Sequence, residues 1–436
     1  MTRFPQQSTM LNCREPHGMS WIGSAGSTTP FGSSSGTLTT ELTKRWGQPM
    51  VRRRRVLLTG LVGAVVLLAA GCEVPLSAPG NTAKIQFVST SNSGGWKYDY
   101  YRNPAYPCSV SGDQTFVIGT KIGSSNTAPA PLFAHLHGGG AGFFDANGDP
   151  QPSAGQKTEE SFSKLRQKLT NNGLFALVRA DAASFRMLAV SYCSHDIYSG
   201  ANSTDPNNPN TTPEGKPRTT NGLLATKAAV QYARGLYPTT KTLLHGGSAG
   251  SAGVFGVAWS MQLHGIAPAG AIADASVANI EALEASFVQG VCVEDSDPAR
   301  IAALQARVHT EIGDIDNEVD KLVADGRLTV PLMHIWNHGD QNTCGAVAMT
   351  CPLRDGSQVA MGRTDCLHEP LRAAIAAPGA ASRSANLPVC VDADAIPDCS
   401  AHVVTNKVGL VNTDPTTPAD YLGEVMDWVH ARLADA

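Results

Sequence analysis

Short apolar runs and amphipathic segments alternate along most of the chain. The apolar or β-branched runs predict strands, which cover residues 84–90, 115–123, 131–137, 185–190, 241–245, 269–273 and 328–336. Glycine or proline clusters at 94–95 and 104–107 predict turns. Segments of helical periodicity cover residues 159–169, 223–236, 254–263, 277–326 and 421–433. Strands that alternate with helices predict an α/β fold with a mostly parallel sheet, helices on both faces and a helical insertion near 277–326.

The chain before residue 84 has a different pattern. Residues 1–49 are rich in Ser, Thr, Gly and Pro without periodicity, which predicts a disordered or non-native extension and Met50 as the true start. Four arginines at 52–55 precede an apolar run that ends at Gly71-Cys72. This is the pattern of a signal peptide over residues 50–72, and the apolar run is shorter than the roughly twenty residues of a membrane span. Its end resembles a bacterial lipobox, so we expect export, a lipid on Cys72 that contacts the membrane, and a tether over residues 73–83.

Charge and cysteine content narrow the class of protein further. Residues 1–72 hold eight of the 33 Lys and Arg residues and two of the 37 Asp and Glu residues, so the remainder has a net charge of about −10. An acidic chain lacks the basic surface of a nucleic-acid-binding protein. Eight cysteines follow Cys72, and an even number in an exported protein predicts disulfides. Local pairs are expected between Cys390 and Cys399, and between Cys344 and either Cys351 or Cys366.

The sequence Gly246-Gly247-Ser248-Ala249-Gly250 matches the G-x-S-x-G pattern of a nucleophile elbow, in which a strand turns sharply into a helix and exposes a serine. Residues 32–36 match it too, but no apolar run precedes them. The 241–245 strand and the 254–263 helix supply the expected context for Ser248. The alternative is a glycine-rich turn with an incidental serine.

A second glycine run, Gly138-Gly139-Gly140, follows the strand at 131–137. Glycines after an early strand can present backbone amides to a substrate oxyanion without side chains in the way. The competing interpretation is a metal pair formed by His135 and His137, because alternate strand residues share a face. Metal-dependent hydrolases need more ligands, which His334 and His338 would have to supply.

An activated serine needs a histidine base and an acid that orients it, in the chain order Ser, Asp or Glu, His. Asp340 follows a late strand and is the preferred acid, with Asp274 as the alternative. His402 precedes the final helix and is the preferred base, with His368 as the competitor.

Five segments together resemble the pectinacetylesterase/Notum family of serine carboxylesterases. They are Leu136-His137-Gly138-Gly139-Gly140, the run Tyr192-Cys193-Ser194-His195-Asp196-Ile197-Tyr198-Ser199-Gly200, the elbow around Ser248, Ala273-Asp274, and Cys399-Ser400-Ala401-His402.

The resemblance implies an α/β-hydrolase domain over residues 84–436, with Ser248 as nucleophile, Asp340 as acid and His402 as base. It also implies an oxyanion hole formed by the amides of Gly139, Gly140 and Ala249, and a reaction that needs no cofactor or metal. The expected substrate is an acetylated or otherwise short-acyl carbohydrate or a small ester. A surface lipoprotein that binds glycans through an inactive hydrolase fold remains the non-enzymatic alternative. Residues 191–200 would either line the pocket or form an ordinary polar loop with a disulfide cysteine.

Overall fold

A mixed β-sheet forms the centre of the computed structural model, which describes residues 76–151, 157–293, 298, 301–302, 318–345, 347–377, 383–389, 400–407 and 420–435. Within these residues the sheet has nine strands. Their side-by-side order is β1 (Gln86–Ser93), β2 (Trp96–Pro107), β3 (Asp113–Lys121), β7 (Arg186–Val190), β4 (Ala130–Leu136), β10 (Thr239–Gly247), β11 (Gly270–Asp274), β12 (Leu332–Asn337) and β15 (Ala385–Val389). The remaining strands form three small hairpins: β5 (Phe143–Phe144) with β6 (Pro150–Gln151), β8 (Ser203–Thr204) with β9 (Thr219–Thr220), and β13 (Ala348–Pro352) with β14 (Gln358–Gly362).

Six neighbouring strands of the sheet run parallel to one another: β7, β4, β10, β11, β12 and β15. The pairs β1–β2, β2–β3 and β3–β7 are antiparallel. Helices connect the parallel strands. The described helices are α1 (Phe162–Thr170), α2 (Leu174–Ala180), α3 (Gly222–Leu236), α4 (Ala249–Leu263), α5 (Ile280–Val288), α6 (Val319–Ala324), α7 (Arg363–Ala376) and α8 (Tyr421–Ala434). The α/β architecture expected from the alternating pattern is therefore confirmed.

Two apolar layers cover the two faces of the sheet. One contains residues of α3, α4, α6 and α7, and the other contains residues of α1, α2 and α8. In β4, Leu132 and Ala134 face the first layer and Phe133 faces the second. Because successive strand residues point to opposite faces, a central strand with both faces covered is apolar at most of its positions. This is why the parallel strands are recognisable as continuous apolar runs.

The turn predicted at residues 104–107 is wrong, because these residues continue strand β2 as far as Pro107. The pairing of β2 with β3 shifts register between Asn103 and Pro107. Strand β1 pairs with β2 only up to Arg102, so within the described residues the proline-containing end of β2 has no strand partner on that side. Proline is tolerated at such an edge because no backbone donor is needed there.

The segment expected to be a tether is held on the body of the protein from Leu76 onward. The side chains of Lys227 and Ser260 donate to the carbonyl of Leu76, at 2.7 and 2.6 Å. The amide of Gly80 donates to Gln231 Oε1 at 2.8 Å. A Cβ on Gly80 would lie 2.3 Å from the backbone nitrogen of Ala228, so the chain approaches α3 closely at this point.

The disulfides among the described residues span sequence separations of 15 to 85 residues. They join Cys108 to Cys193, Cys292 to Cys344, and Cys351 to Cys366. The expectation of disulfides is confirmed, whereas the expected pairing of Cys344 with Cys351 or Cys366 is wrong. The folded chain brings Cys292, at the end of the α5 segment, to Cys344, a proximity that sequence spacing does not indicate.

Several expectations concern residues outside the described part of the chain. These are the N-terminal extension, the signal peptide with Cys72, the Cys390–Cys399 pair and most of the insertion between α5 and α6. Among the residues that are described, no helix has the length and apolar character needed to cross a bilayer.

Candidate active site

Ser248 occupies a strained turn between β10 and α4. Its backbone has φ +56° and ψ −126°, a region that side-chain-bearing residues rarely adopt. A Cβ on Gly246 would lie 2.1 Å from the carbonyl oxygen of Gly250, and a Cβ on Gly250 would lie 2.0 Å from that of Leu136. Both positions therefore require glycine. This is the geometry of a nucleophile elbow, and it puts Ser248 at the carboxyl end of the central parallel strand.

His402 lies between Ser248 and Asp340. Its Nε2 is 2.8 Å from Ser248 Oγ, and its Nδ1 is 2.7 Å from Asp340 Oδ2. Asp340 is fully buried, and the imidazole is 18% exposed. A carboxylate accepts hydrogen bonds, so Nδ1 carries the proton and Nε2 is left to accept the serine proton. The structure thus brings the preferred serine, histidine and aspartate of the sequence into one hydrogen-bonded chain.

The two alternative residues occupy other positions. Asp274 accepts hydrogen bonds from the segment that follows His402, rather than from the imidazole. His368 is buried against His334, with 2.7 Å between His368 Nδ1 and His334 Nε2. Burial holds the pKa of His368 well below its usual value. Neither side chain is hydrogen-bonded to Ser248 or His402.

The glycine run packs directly on the elbow. A Cβ on Gly138 would lie 2.4 Å from Ser248 Cβ, and a Cβ on Gly139 would lie 3.1 Å from the ring of Tyr192. Residues 191–200 are hydrogen-bonded to the start of the glycine run, because the Tyr198 hydroxyl donates to the carbonyl of His137 at 3.0 Å. This loop also contains Cys193 of the Cys108–Cys193 disulfide. Residues 191–200 therefore pack against the glycine run and help to hold it in place.

His137 and Glu160 form a buried pair next to the glycine run. His137 Nε2 lies 2.7 Å from Glu160 Oε2, and His137 Nδ1 lies 2.7 Å from the carbonyl oxygen of Gly138. Glu160 also accepts from Lys164 Nζ at 2.6 Å and from the amide of Tyr192 at 3.1 Å. Burial alone would raise the pKa of Glu160, but His137 and Lys164 outweigh it and lower the pKa to about 2. Sequence reasoning missed Glu160, because a single glutamate before a helix has no distinguishing pattern.

The histidines considered as metal ligands are engaged with other side chains. His135 Nδ1 lies 2.9 Å from His245 Nδ1, and His338 Nδ1 lies 2.5 Å from Asp365 Oδ1. Burial lowers the pKa of His245 to about 3 and that of His135 well below its usual value. The described residues contain no group of three or more His, Cys, Asp or Glu side chains placed to hold a metal ion.

A pocket of about 230 Å³ opens beside Ser248. Its walls are His135, His137, Gly138, Lys168, Asn171, Gly247, Ser248, Val403 and Asn406. Polar and apolar atoms contribute about equally to the lining, and Ser248 lies in the wall, so the pocket can hold a group attached to an ester bound at Ser248.

No protein-family model matches this chain, and no curated protein sequence matches it. The Wnt deacylase Notum from Drosophila is 14% identical, over 81% of this chain and 95% of that one, with a TM-score of 0.43. An S-formylglutathione hydrolase from Agrobacterium tumefaciens is 12% identical, over 70% and 89%, with a TM-score of 0.36. An esterase/lipase from an uncultured bacterium is 16% identical, over 84% and 94%, with a TM-score of 0.38. This chain has an α/β-hydrolase fold, as shown by its strand order, the parallel half of its sheet and the elbow after β10.

Proposed function

We propose that this protein is a serine esterase that removes acetyl or another short acyl group from a carbohydrate or a related ester. The observation that carries the proposal is the hydrogen-bonded chain from Ser248 Oγ through His402 to buried Asp340, at a strained elbow. A serine hydroxyl is a weak nucleophile on its own, and this arrangement supplies the base that activates it.

The reaction proceeds in two halves. His402 Nε2 takes the Ser248 proton as Oγ attacks the ester carbonyl, and the resulting imidazolium returns that proton to the leaving alcohol. The serine is then acylated. A water molecule, deprotonated by His402, attacks the acyl-enzyme and releases the carboxylic acid, and the proton returns to Ser248. Asp340 fixes the imidazole tautomer and stabilises its charged form in both halves.

Backbone amides of Gly139, Gly140 and Ala249 would stabilise the negative oxygen of each tetrahedral intermediate. The close approach of Gly138 to Ser248 supports this assignment, because it brings the glycine run to the reacting atom. Ala249 is the first residue of α4, where helix amides have no partner inside the helix and the helix dipole favours negative charge. Donors fixed in this way are typically worth about 3 kcal/mol each in the transition state.

A small pocket whose lining is half polar and half apolar suits a short acyl group on a hydroxyl-rich alcohol. Lys168, Asn171 and Asn406 can hydrogen-bond hydroxyl groups at its wall. We also propose that the protein is exported and carries a lipid on Cys72. The three disulfides found among the described residues support export, because such bonds persist in oxidising compartments.

The test is hydrolysis of p-nitrophenyl acetate together with labelling by a fluorophosphonate probe. The wild-type protein should turn over and be labelled on Ser248, and Ser248→Ala should do neither while keeping its fold. Ser163, exposed on α1, provides the matched control, so Ser163→Ala should behave as wild type. A glycan-binding protein with an inactive fold would show neither activity nor labelling. Activity that survives Ser248→Ala but disappears with a chelator would indicate a metal-dependent hydrolase instead.

A further inference from the structure

Asp274, at the end of β11, is a fully buried carboxylate with three hydrogen-bond donors. The amide of Val404 donates to Oδ1 at 3.1 Å, and the amide and hydroxyl of Thr405 donate to Oδ2 at 2.7 and 2.6 Å. These donors follow His402 by two and three residues. Residues 400–407 belong to no helix or strand, so no ladder of backbone hydrogen bonds fixes them. Asp274 supplies the missing acceptors.

The same residue also holds the elbow. The backbone carbonyl of Asp274 accepts the amide of Ser248 at 3.0 Å. Its carboxylate and its carbonyl therefore connect the segment that carries the imidazole to the turn that carries the hydroxyl. The distance of 2.8 Å between Ser248 Oγ and His402 Nε2 is set across this connection.

A chain of buried side chains orients the Thr405 hydroxyl toward Asp274. Thr405 Oγ1 donates to the carboxylate, so it accepts from His245 Nε2 at 3.0 Å. His245 Nδ1 then accepts from His135 Nδ1 at 2.9 Å. This pattern needs a neutral His245, whose Nδ1 accepts, and this agrees with the lowering of the His245 pKa by burial. With His245 neutral, each of these contacts has a single donor and a single acceptor.

We propose that Asp274 is a positioning residue that sets the distance between the Ser248 hydroxyl and the His402 imidazole. The proposal rests on the proposed esterase function, because it concerns the geometry of that reaction. Asp274 does not touch the reacting atoms. It acts by holding two backbone segments at the separation that proton transfer requires, and a misplacement of about 1 Å typically costs about 100-fold in rate.

The first test compares Asp274→Asn with Asp340→Asn. Asparagine has the same shape, but its amide group turns a donor toward the donors of residues 404 and 405. We expect kcat for p-nitrophenyl acetate, expressed per titratable serine, to fall about 100-fold, with KM within about threefold. Fluorophosphonate labelling should slow by a similar factor, since it depends on the same serine and histidine. Asp340→Asn should lose about 10⁴-fold, because it removes the partner of the imidazole itself. Asp427, exposed on α8, gives the control variant Asp427→Asn, expected to equal wild type.

The second test changes only the hydroxyl link. Thr405→Val keeps the backbone hydrogen bonds to Asp274 and should lower kcat about tenfold, and Thr405→Ser should restore it to within about twofold. This pair tests the proposal even if Asp274→Asn does not fold.

Three results would overturn the proposal: a folded Asp274→Asn variant with kcat within threefold of wild type, a loss as large as that of Asp340→Asn, or a Thr405→Val variant with unchanged kcat. An inactive, unlabelled wild-type protein would instead refute the esterase function.

Discussion

The packing of Gly138 against Ser248 gives a sharp prediction for the variant Gly138→Ala. The added Cβ would lie 2.4 Å from Ser248 Cβ, 2.9 Å from the carbonyl oxygen of Gly247 and 3.0 Å from Ser248 Oγ. All three atoms belong to the elbow, whose backbone is already held in an unusual conformation. No flexible side-chain end is available to move away.

The size of the effect follows from the distance. Carbon atoms in contact prefer separations of about 3.5–4.0 Å, so the end of β4 and the elbow must move apart by about 1 Å. A displacement of that size between the serine and the proposed oxyanion amides should lower kcat about 100-fold. This loss corresponds to about 2.7 kcal/mol of transition-state stabilisation. Overpacking of this kind typically destabilises a fold by about 1–3 kcal/mol, so the variant should still fold.

The assay is kcat for p-nitrophenyl acetate per serine titrated with a fluorophosphonate. Gly139→Ala is the neighbouring comparison, because its Cβ would meet the Tyr192 ring at 3.1 Å and a small ring shift relieves the contact. Its kcat should fall no more than about tenfold. Gly235→Ala, on α3, is the control, since its Cβ would meet nothing within 4 Å. The reasoning is refuted if Gly138→Ala keeps more than a third of the wild-type kcat, or if Gly139→Ala is the more damaged variant.

Three further outcomes are expected. Asp340→Asn should lower kcat about 10⁴-fold and leave the circular dichroism spectrum unchanged, and a loss below tenfold would argue against Asp340 as the acid. Replacing both Cys108 and Cys193 by alanine opens a loop with a sequence separation of 85 residues and should lower the free energy of unfolding by about 2–5 kcal/mol in denaturant titrations, whereas an unchanged midpoint would contradict the pairing. Burial lowers the pKa of His334 to about 4, whereas the pKa of this imidazole in the unfolded chain is about 6.5. The unfolded state therefore binds a proton at His334 more readily than the folded state does. The free energy of unfolding should therefore fall as the pH drops from 6.5 towards 4, by about 2 kcal/mol at pH 5. The variant His334→Gln should lack this part of the pH dependence. Identical pH dependences of the unfolding free energy in the two proteins would contradict the burial of a neutral imidazole.

The parallel half of the sheet could be predicted from the sequence because both of its faces are covered. Strands β4, β7, β10 and β11 appear as apolar runs, and their predicted positions agree with the structure within a few residues. The end of β2 was predicted as a turn because of its prolines, but β1 does not pair with it beyond Arg102, and that edge position removes the usual objection to proline. Strand β15 was missed because its run, Ala385–Val389, is short and partly exposed.

The candidate site was predictable where local backbone geometry demands particular residues. The elbow requires glycines on both sides of Ser248, and the glycine run follows an apolar strand, so both leave a pattern in the sequence. Glu160 and Thr405 leave no such pattern. They act through contacts with residues far away in the chain, and a single glutamate or threonine has the same appearance anywhere.

The sequence by itself determined the alternation of strands and helices, the strained turn at Ser248 and a small set of acids and histidines in the expected chain order. These are properties of local conformation and periodicity, which neighbouring residues control. Only the tertiary structure shows that His402 and Asp340, rather than His368 and Asp274, are hydrogen-bonded in a chain with Ser248, and which of the described cysteines pair. Those choices depend on which distant segments meet in space, because a hydrogen bond or a disulfide forms only over a few ångströms, whatever the separation along the chain.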